Sequence, residues 1–380
     1  LIGRCRIEVV MSESSVVLLE ERVLTSGQVL AVATLNSERS LNSLSLDMIE
    51  LLLPAMQRWA TDEKVVAVFL QGAGEKAFCA GGDVRRICVG VRENGINDPY
   101  AQQFFTEEYK LDYLIHTFPK PVIVWGQGIV MGGGIGLMCG ASHRVVTEAS
   151  RLAMPEITIG LYPDVGGSYF LSRLPGRLGL FLGMTGVHLN AADALFAGFA
   201  DHAVASDRRL HVLEALVTLS WASDATSRQA QVSAVLAAET CPGLPVSELQ
   251  SRVAIINERA AADELTTLVA ALTAPAPEDA WLNRTARSLA TGSPTSAALI
   301  LRQWQRGRHQ SLADVFREEL TLSTQCARHP DFIEGVRALL IDKDNAPVWQ
   351  PATVADIAED WIAGHYAEPW QGEHPLASLA

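Results

Sequence analysis

The sequence predicts an α/β domain followed by a helical extension, and three observations carry that prediction. Short β-branched apolar runs closed by glycines alternate with helix-patterned stretches up to about residue 205. Beyond that point the chain is mostly alanine-rich and amphipathic, broken at "CPGLP" (241–245), "TAPAP" (273–277) and "TGSP" (291–294). Apolar residues make up 48% of the 380 and charged residues 19%, ample material for a buried core. The expected division is a core over 12–205 and a helical region over 206–380.

The elements follow in order. "SVVLLEE" (15–21) and "VLAVATL" (29–35) are short and β-branched, and read as a hairpin-like strand pair. From Ser45, the apolar residues Leu46, Ile49, Leu53 and Met56 recur at helical spacing, with Asp47 in the first turn. "VVAVFLQGAG" (65–74) is a continuous apolar run ended by glycines, the mark of a buried parallel strand. Further strands are expected at 122–125 and 143–148, with a buried helix between them from Gly133 to Gly140. In the second half, Ser293-Pro294 reads as an N-cap with proline at N1. Ser311 with Asp314 resembles a capping box, and Pro330 opens a helix ending near Lys343.

Composition excludes several function classes. A net charge of −13 without a dense lysine or arginine run argues against nucleic acid or an anionic membrane as partner. A small anionic ligand stays open, because a few arginines can serve one site in an acidic protein. The six cysteines (Cys5, Cys79, Cys88, Cys139, Cys241, Cys326) include no C-x-x-C pair, so neither a disulfide framework nor a zinc site is expected. A reducing compartment fits. The N-terminal "LIGRCRIEVVMSESS" lacks an apolar signal core, and a methionine arrives only at Met11.

Val122–Ala141 holds twenty residues without a formal charge, enough to span a bilayer. Seven glycines and a flanking His143-Arg144 pair argue against that reading. A G-x-G-x-x-G nucleotide turn fails too, since Met131, Leu137 and Cys139 stand where its last glycine would be. G-x-S-x-G is absent at Ser142 and Ser168, and no H-E-x-x-H occurs, so His143 is expected to be structural. No metal is expected.

What remains are two glycine-rich turns after strands, "KAFCAGGDVRR" (76–86) and "GIVMGGGIG" (128–136). Either alone can simply permit a tight turn. Two at strand ends allow backbone N–H groups to converge on one oxygen, the arrangement of an oxyanion hole.

"KAFCAGGD", the triple glycine and "MPEITIGLYPDVGGSYFLSRLPG" (154–176), in that order, resemble the crotonase, or enoyl-CoA hydratase/isomerase, superfamily over residues 15–205. The resemblance implies a crotonase-like spiral of β-β-α units, an acyl-CoA thioester as substrate, and two peptide N–H groups, of Gly82 and Gly133, on its carbonyl oxygen. It also implies that Ser40, Leu41 and Asn42 meet the adenine of CoA, with Ala80 in the same CoA-binding set. Arg85 and Arg86 either neutralise CoA phosphates or are ordinary surface arginines. No cofactor is implied, since CoA is part of the substrate.

A hydratase of this superfamily uses two glutamates. Glu156 matches the second, but Gly136 occupies the position of the first. Adding water across a double bond needs a base and an acid together, so this departure speaks against hydration. Asp164, eight residues past Glu156, offers a different partner; its plain alternative is a helix N-cap.

The tail "SLADVFREELTLSTQCARHPDFIEGVRALLIDKDNAPVWQPATVADI" (311–357) resembles the 3-hydroxyisobutyryl-CoA hydrolase subfamily, as does "FFTEEYKLDYLI" (104–115). "REELTLS" lacks the aromatic expected there after the acidic pair. Glu108 matches a glutamate that lies at the substrate in that subfamily; otherwise it is an acid on a solvated helix face. The implied reaction is hydrolysis of a short 3-hydroxyacyl-CoA in valine breakdown. Glu156 either activates water or attacks to form an anhydride, and Asp164 orients the substrate hydroxyl or assists proton transfer. The implied compartment is a bacterial cytoplasm or a mitochondrial matrix. Rival activities are hydration or isomerisation of enoyl-CoA, and acyl-CoA binding without turnover. Trimers or hexamers are common in the superfamily, whereas the long helical tail could cover the same surface within one chain.

Overall fold

A computed structural model describes the backbone of residues 6–9 and the whole of residues 15–380. Cys5, Met11 and most of the N-terminal segment discussed above lie outside the described residues. The chain forms two compact units of interleaved segments. The first comprises Leu1–Gly82, Lys110–Leu152 and Leu189–Ser247; the second comprises Asp83–Tyr109, Ala153–His188 and Glu248–Ala380. None of the five segment boundaries lies at the composition change near residue 205.

The first unit is built on a seven-stranded sheet. Its strands are β1 (Arg6–Val9), β2 (Val17–Val23), β3 (Val29–Leu35), β4 (Val65–Gly72), and, past the short β5 (Ala77–Cys79), β6 (Val122–Gly126). After β7 (Ile129–Met131) come β8 (His143–Val146), β9 (Arg151–Ala153) and β10 (His202–Ala203). The order across the large sheet is β1-β2-β3-β4-β6-β8-β10, while β5, β7 and β9 form a second sheet. The strands β1, β2 and β3 pair antiparallel, with Val17 opposite Leu35 and Val23 opposite Val29. From β3 onward every pairing in the large sheet is parallel.

Sequence explains this switch. All seven residues of β3 are buried, as are Val65–Leu70 of β4, so these strands read as unbroken apolar runs covered on both faces. One face of the sheet closes over Leu30, Val32, Phe69 and Trp125, against Val212 and Leu216 of the helix Arg209–Thr218. The helix Leu46–Thr61 starts where expected. Ser45 Oγ accepts from the Met48 N–H, and Leu46, Ile49, Leu53 and Met56 are all buried. His143 is structural as expected: its Nε2 lies 3.0 Å from Ser233 Oγ and 3.1 Å from the Gln229 carbonyl oxygen.

The second unit is helical. Ser293 caps the helix Pro294–Gly307, accepting from the Ser296 N–H at 3.0 Å. Ser311 caps the helix Leu312–Arg328, but the reciprocal half of the predicted box is absent. Its hydroxyl instead donates to the Asp314 carboxylate at 2.7 Å, because the shorter acid stops near the serine side chain. The helix Pro330–Val336 continues as a wider turn over Arg337–Ile341, two residues short of the expected end. Among the described residues no helix is long and apolar enough to cross a membrane.

Candidate active site

The glycine turns of the first unit come together. The Leu44 N–H donates to the Gly81 carbonyl at 2.8 Å, and Leu44 and Gly82 form an isolated parallel bridge. A Cβ on Gly81 would lie 3.5 Å from the Met131 carbonyl oxygen and 4.0 Å from the Gly132 Cα, so the two turns abut. Gly132 takes φ 48 and starts the buried helix Gly133–Cys139. Gly133 is therefore its first residue, with an N–H that the helix does not use internally. A side chain on Gly134 would run into the Cys79 carbonyl oxygen at the end of β5. The glycines thus have separate causes: a left-handed start at Gly132 and close packing at Gly134.

The Ser40–Asn42 turn joins the same edge. Leu41 and Asn42 both have φ 55, and the Leu41 carbonyl accepts from the Ala80 N–H at 3.1 Å. The buried Asn42 holds the turn, its Nδ2 donating to the carbonyls of Ala73 and Ala77 at 3.0 Å each. Ser40, Leu41, Asn42, Ala80 and Gly82 are therefore one contiguous patch of backbone. Arg85 and Arg86 belong to the second unit and are exposed; the Arg86 guanidinium lies 4.9 Å from the Tyr100 ring centroid.

The second unit gathers the carboxylates. Glu108, Glu156 and Asp164 are at most 5% exposed, which overturns the solvated-face alternative for Glu108. Nor is Asp164 a helix cap, because the helix Gly167–Leu171 has Gly166 at its N-cap and no side-chain cap bond. Asp164 Oδ2 instead accepts from the Tyr109 hydroxyl at 2.6 Å. Ser323 Oγ lies 2.6 Å from that phenol oxygen and 3.0 Å from the Tyr162 hydroxyl.

Burial pushes the Asp164 carboxyl up to about 6, against the pull of the Tyr109 bond. Glu156 is raised well above the usual carboxylate range, by burial first and then by the charge of Asp164. Glu108 is raised in the same direction by burial, Asp164 and Glu156. The three carboxylates thus sense one another. Glu156 Oε2 and Glu108 Oε1 are buried without a hydrogen-bond partner among the described residues. An unpartnered buried acceptor is costly, and it is the kind of atom that a ligand hydroxyl or water satisfies.

Chemically, this is a set of acids whose proton affinities are spread by environment: Asp164 is ionised near neutrality, while Glu156 and Glu108 hold a proton more tightly than an ordinary carboxyl. Such a group can move a proton to or from a bound oxygen. Sequence reasoning missed Tyr109, Tyr162, Ser323 and Glu319. Tyr109 sits directly beside the selected Glu108, and Glu319 lies in the very "REELTLS" segment noted only for its missing aromatic. The one available signal was three polar side chains, Tyr109, Glu319 and Ser323, at apolar-patterned helix positions, and it is weak in a single sequence; Tyr162 lies in the loop before Asp164.

A family model described as enoyl-CoA hydratase/isomerase matches residues 30–366. The mitochondrial 3-hydroxyisobutyryl-CoA hydrolase of Danio rerio is 40% identical over 331 residues, covering 87% of this chain and 85% of that protein. The Homo sapiens protein of the same name is 37% identical over 351 residues, covering 92% and 88%. Among solved structures, a carnitinyl-CoA dehydratase from Mycobacterium thermoresistibile superposes with a TM-score of 0.82 at 35% identity, covering 95% of this chain and 99% of that one. An enoyl-CoA hydratase from Rhodobacter sphaeroides 2.4.1 follows at 0.79 and 31%, covering 92% and 97%.

Proposed function

This chain belongs to the enoyl-CoA hydratase/isomerase family, and we propose that within it the protein is a thioester hydrolase that cleaves 3-hydroxyisobutyryl-CoA to free CoA and the hydroxy acid. The observation that carries the choice is the carboxylate set. Glu156 and Asp164 are buried together and electrostatically linked, while Gly136 removes the acid that a hydratase would place on the helix Gly133–Cys139.

In this reading the N–H groups of Gly82 and Gly133 hold the thioester oxygen as it gains negative charge. One such donor is typically worth about 3–4 kcal/mol. Their support is the abutment of the two glycine turns. Glu156 supplies the oxygen chemistry: it either takes a proton from water or adds to the carbonyl carbon, expelling CoA thiolate and leaving an anhydride that water opens. Asp164, ionised near neutrality, orients the substrate hydroxyl or assists the proton transfer, and Glu108 lines the same acid cluster. Ser40, Leu41, Asn42 and Ala80 receive the adenine end of CoA. Arg85 and Arg86, both exposed, are available to its phosphates. No cofactor is invoked: hydrolysis involves no net oxidation or reduction, and the carboxylates and backbone amides supply the acid–base and oxyanion chemistry.

The relatives are named as mitochondrial proteins. For this chain a mitochondrial matrix or a bacterial cytoplasm fits equally, in a valine-degrading sequence. A 3-hydroxypropionyl ester differs by one methyl group, worth only ~1–3 kcal/mol of discrimination, and is expected as a slower substrate. The titles of the solved relatives name dehydration and hydration, so the test must separate these outcomes. Wild-type protein is incubated with 3-hydroxyisobutyryl-CoA, 3-hydroxypropionyl-CoA and an enoyl-CoA, with free thiol and acyl products both measured. Thiol release from the hydroxyacyl esters supports hydrolysis. Interconversion of enoyl- and hydroxyacyl-CoA without thiol release would refute it. Turnover in ¹⁸O-water reports on the route: label in the Glu156 carboxylate shows an anhydride opened at the Glu156 carbonyl, since water activated by Glu156 as a base delivers its oxygen only to the product.

A further inference from the structure

The backbone under Asp164 takes an uncommon path. Val165 is buried and has φ 52, in the left-handed region that a β-branched residue rarely occupies. Gly166 follows at φ 85, and the Gly167 N–H closes the turn onto the Asp164 carbonyl at 2.7 Å. Such a conformation persists only when its surroundings impose it.

The imposing group is Glu319, fully buried on the helix Leu312–Arg328. Its Oε2 accepts from the Gly166 N–H at 2.7 Å and its Oε1 from the Ser168 N–H at 2.9 Å. Both carboxyl oxygens are thus spent on the segment that follows Asp164. The Tyr162 hydroxyl donates to the Glu319 main-chain carbonyl at 3.0 Å, fixing the same helix turn. Four helical positions on, Ser323 stands against Tyr109, the phenol that binds Asp164. One face of this helix therefore reaches Asp164 twice, through its backbone and through its side chain.

Building on the reading of Asp164 as a group of the hydrolytic site, we propose that Glu319 is a positioning residue: by gripping the Gly166 and Ser168 amides it holds Val165 in its left-handed conformation and so fixes where the Asp164 carboxylate stands. A displacement of an active group by about 1 Å can cost ~100-fold in turnover, which sets the expected scale.

The test compares Glu319→Gln, Val165→Gly, Val165→Ala and the Glu319→Gln double variants with each Val165 change, using thiol release from 3-hydroxyisobutyryl-CoA. Glu319→Gln is expected to lower kcat by about 100-fold with KM little changed. Adding Val165→Gly should restore kcat about tenfold, because glycine adopts the left-handed turn without the clamp. Adding Val165→Ala, which opens a similar space but keeps the backbone penalty, should restore nothing. Equal effects of the two Val165 changes, or a Glu319→Gln variant with wild-type kcat, would overturn the proposal. If Glu319→Gln does not fold, Glu319→Asp, which is too short to hold both amides, is read by the same criteria. Asp164→Asn is run alongside. Full activity there would fault the role given to Asp164, whereas its loss together with an indifferent Glu319 would fault only the clamp.

Discussion

At the scale of single residues, the proposed chemistry depends on how Asp164 and Glu156 share charge. Asp164 is raised to about 6 and its negative charge helps to lift Glu156. Removing that charge must therefore lower the Glu156 value. We predict that the acid limb of the pH–rate profile of Asp164→Asn moves to lower pH relative to wild type, whatever activity remains; a limb that moves upward contradicts the coupling. Sequence legibility at this scale was uneven. Glu156 and Asp164 were readable because a motif orders them. Glu108 was readable only by resemblance, since an acid on a helix gives no sign of burial until the packing around it is known. Tyr109 and Glu319 were not readable at all, because a polar residue among helical apolar positions looks the same whether it serves a network or a solvated edge.

At the scale of elements, the glycine-rich helix Gly133–Cys139 is placed by contact with β5. Gly134→Ala should push its first turn off the Cys79 carbonyl, as the new Cβ and that oxygen cannot share the space. Overpacking of this kind costs about 1–3 kcal/mol, so we predict a lower thermal midpoint. Turnover should fall further than stability alone explains, because the Gly133 N–H moves with the helix. An active Gly134→Ala variant with an unchanged midpoint would show that this contact is dispensable. Five strands of the large sheet (β2, β3, β4, β6 and β8) and the caps at Ser293 and Ser311 were legible from apolar runs and cap residues, which act locally, whereas the edge strands β1 and β10 and the cap at Ser45 were not read. The Asp314 half of its box was not, since one missing methylene decides where a carboxylate reaches. The tight fit at Gly134 was likewise invisible, because its neighbour lies more than fifty residues away in the chain.

At the scale of the whole molecule, buried acids shape the pH dependence of stability. Burial pushes Glu319 up to about 8, so between the unfolded carboxyl range near ~4.3 and pH 8 the folded chain holds a proton that the unfolded chain releases. A group raised in this way contributes stability that is full at low pH and lost as pH climbs through the folded value. Two histidines act oppositely: desolvation lowers the half-buried His116 and the buried His365 to about 4, so their effect is spent above the ordinary histidine range near ~6.5. Above pH 6.5 the histidines no longer contribute, and Glu156 and Glu108, raised by the same burial, act in the same direction as Glu319. Over pH 6.5 to 8 we predict a thermal midpoint that falls with rising pH, at no more than about 1.4 kcal/mol per unit from Glu319, and a flatter curve for Glu319→Gln. A wild-type midpoint rising across that window would contradict the assignment. Composition marked the change to helix near residue 205 but not the interleaving of two compact units, because long-range contacts leave no trace in local pattern.

The most direct test is thiol release from 3-hydroxyisobutyryl-CoA by wild-type protein and by Glu156→Gln, with ester binding measured on both. We predict rapid release by the wild type, a loss of at least ~100-fold in the variant, and binding retained. Equal release by the two proteins would contradict the prediction.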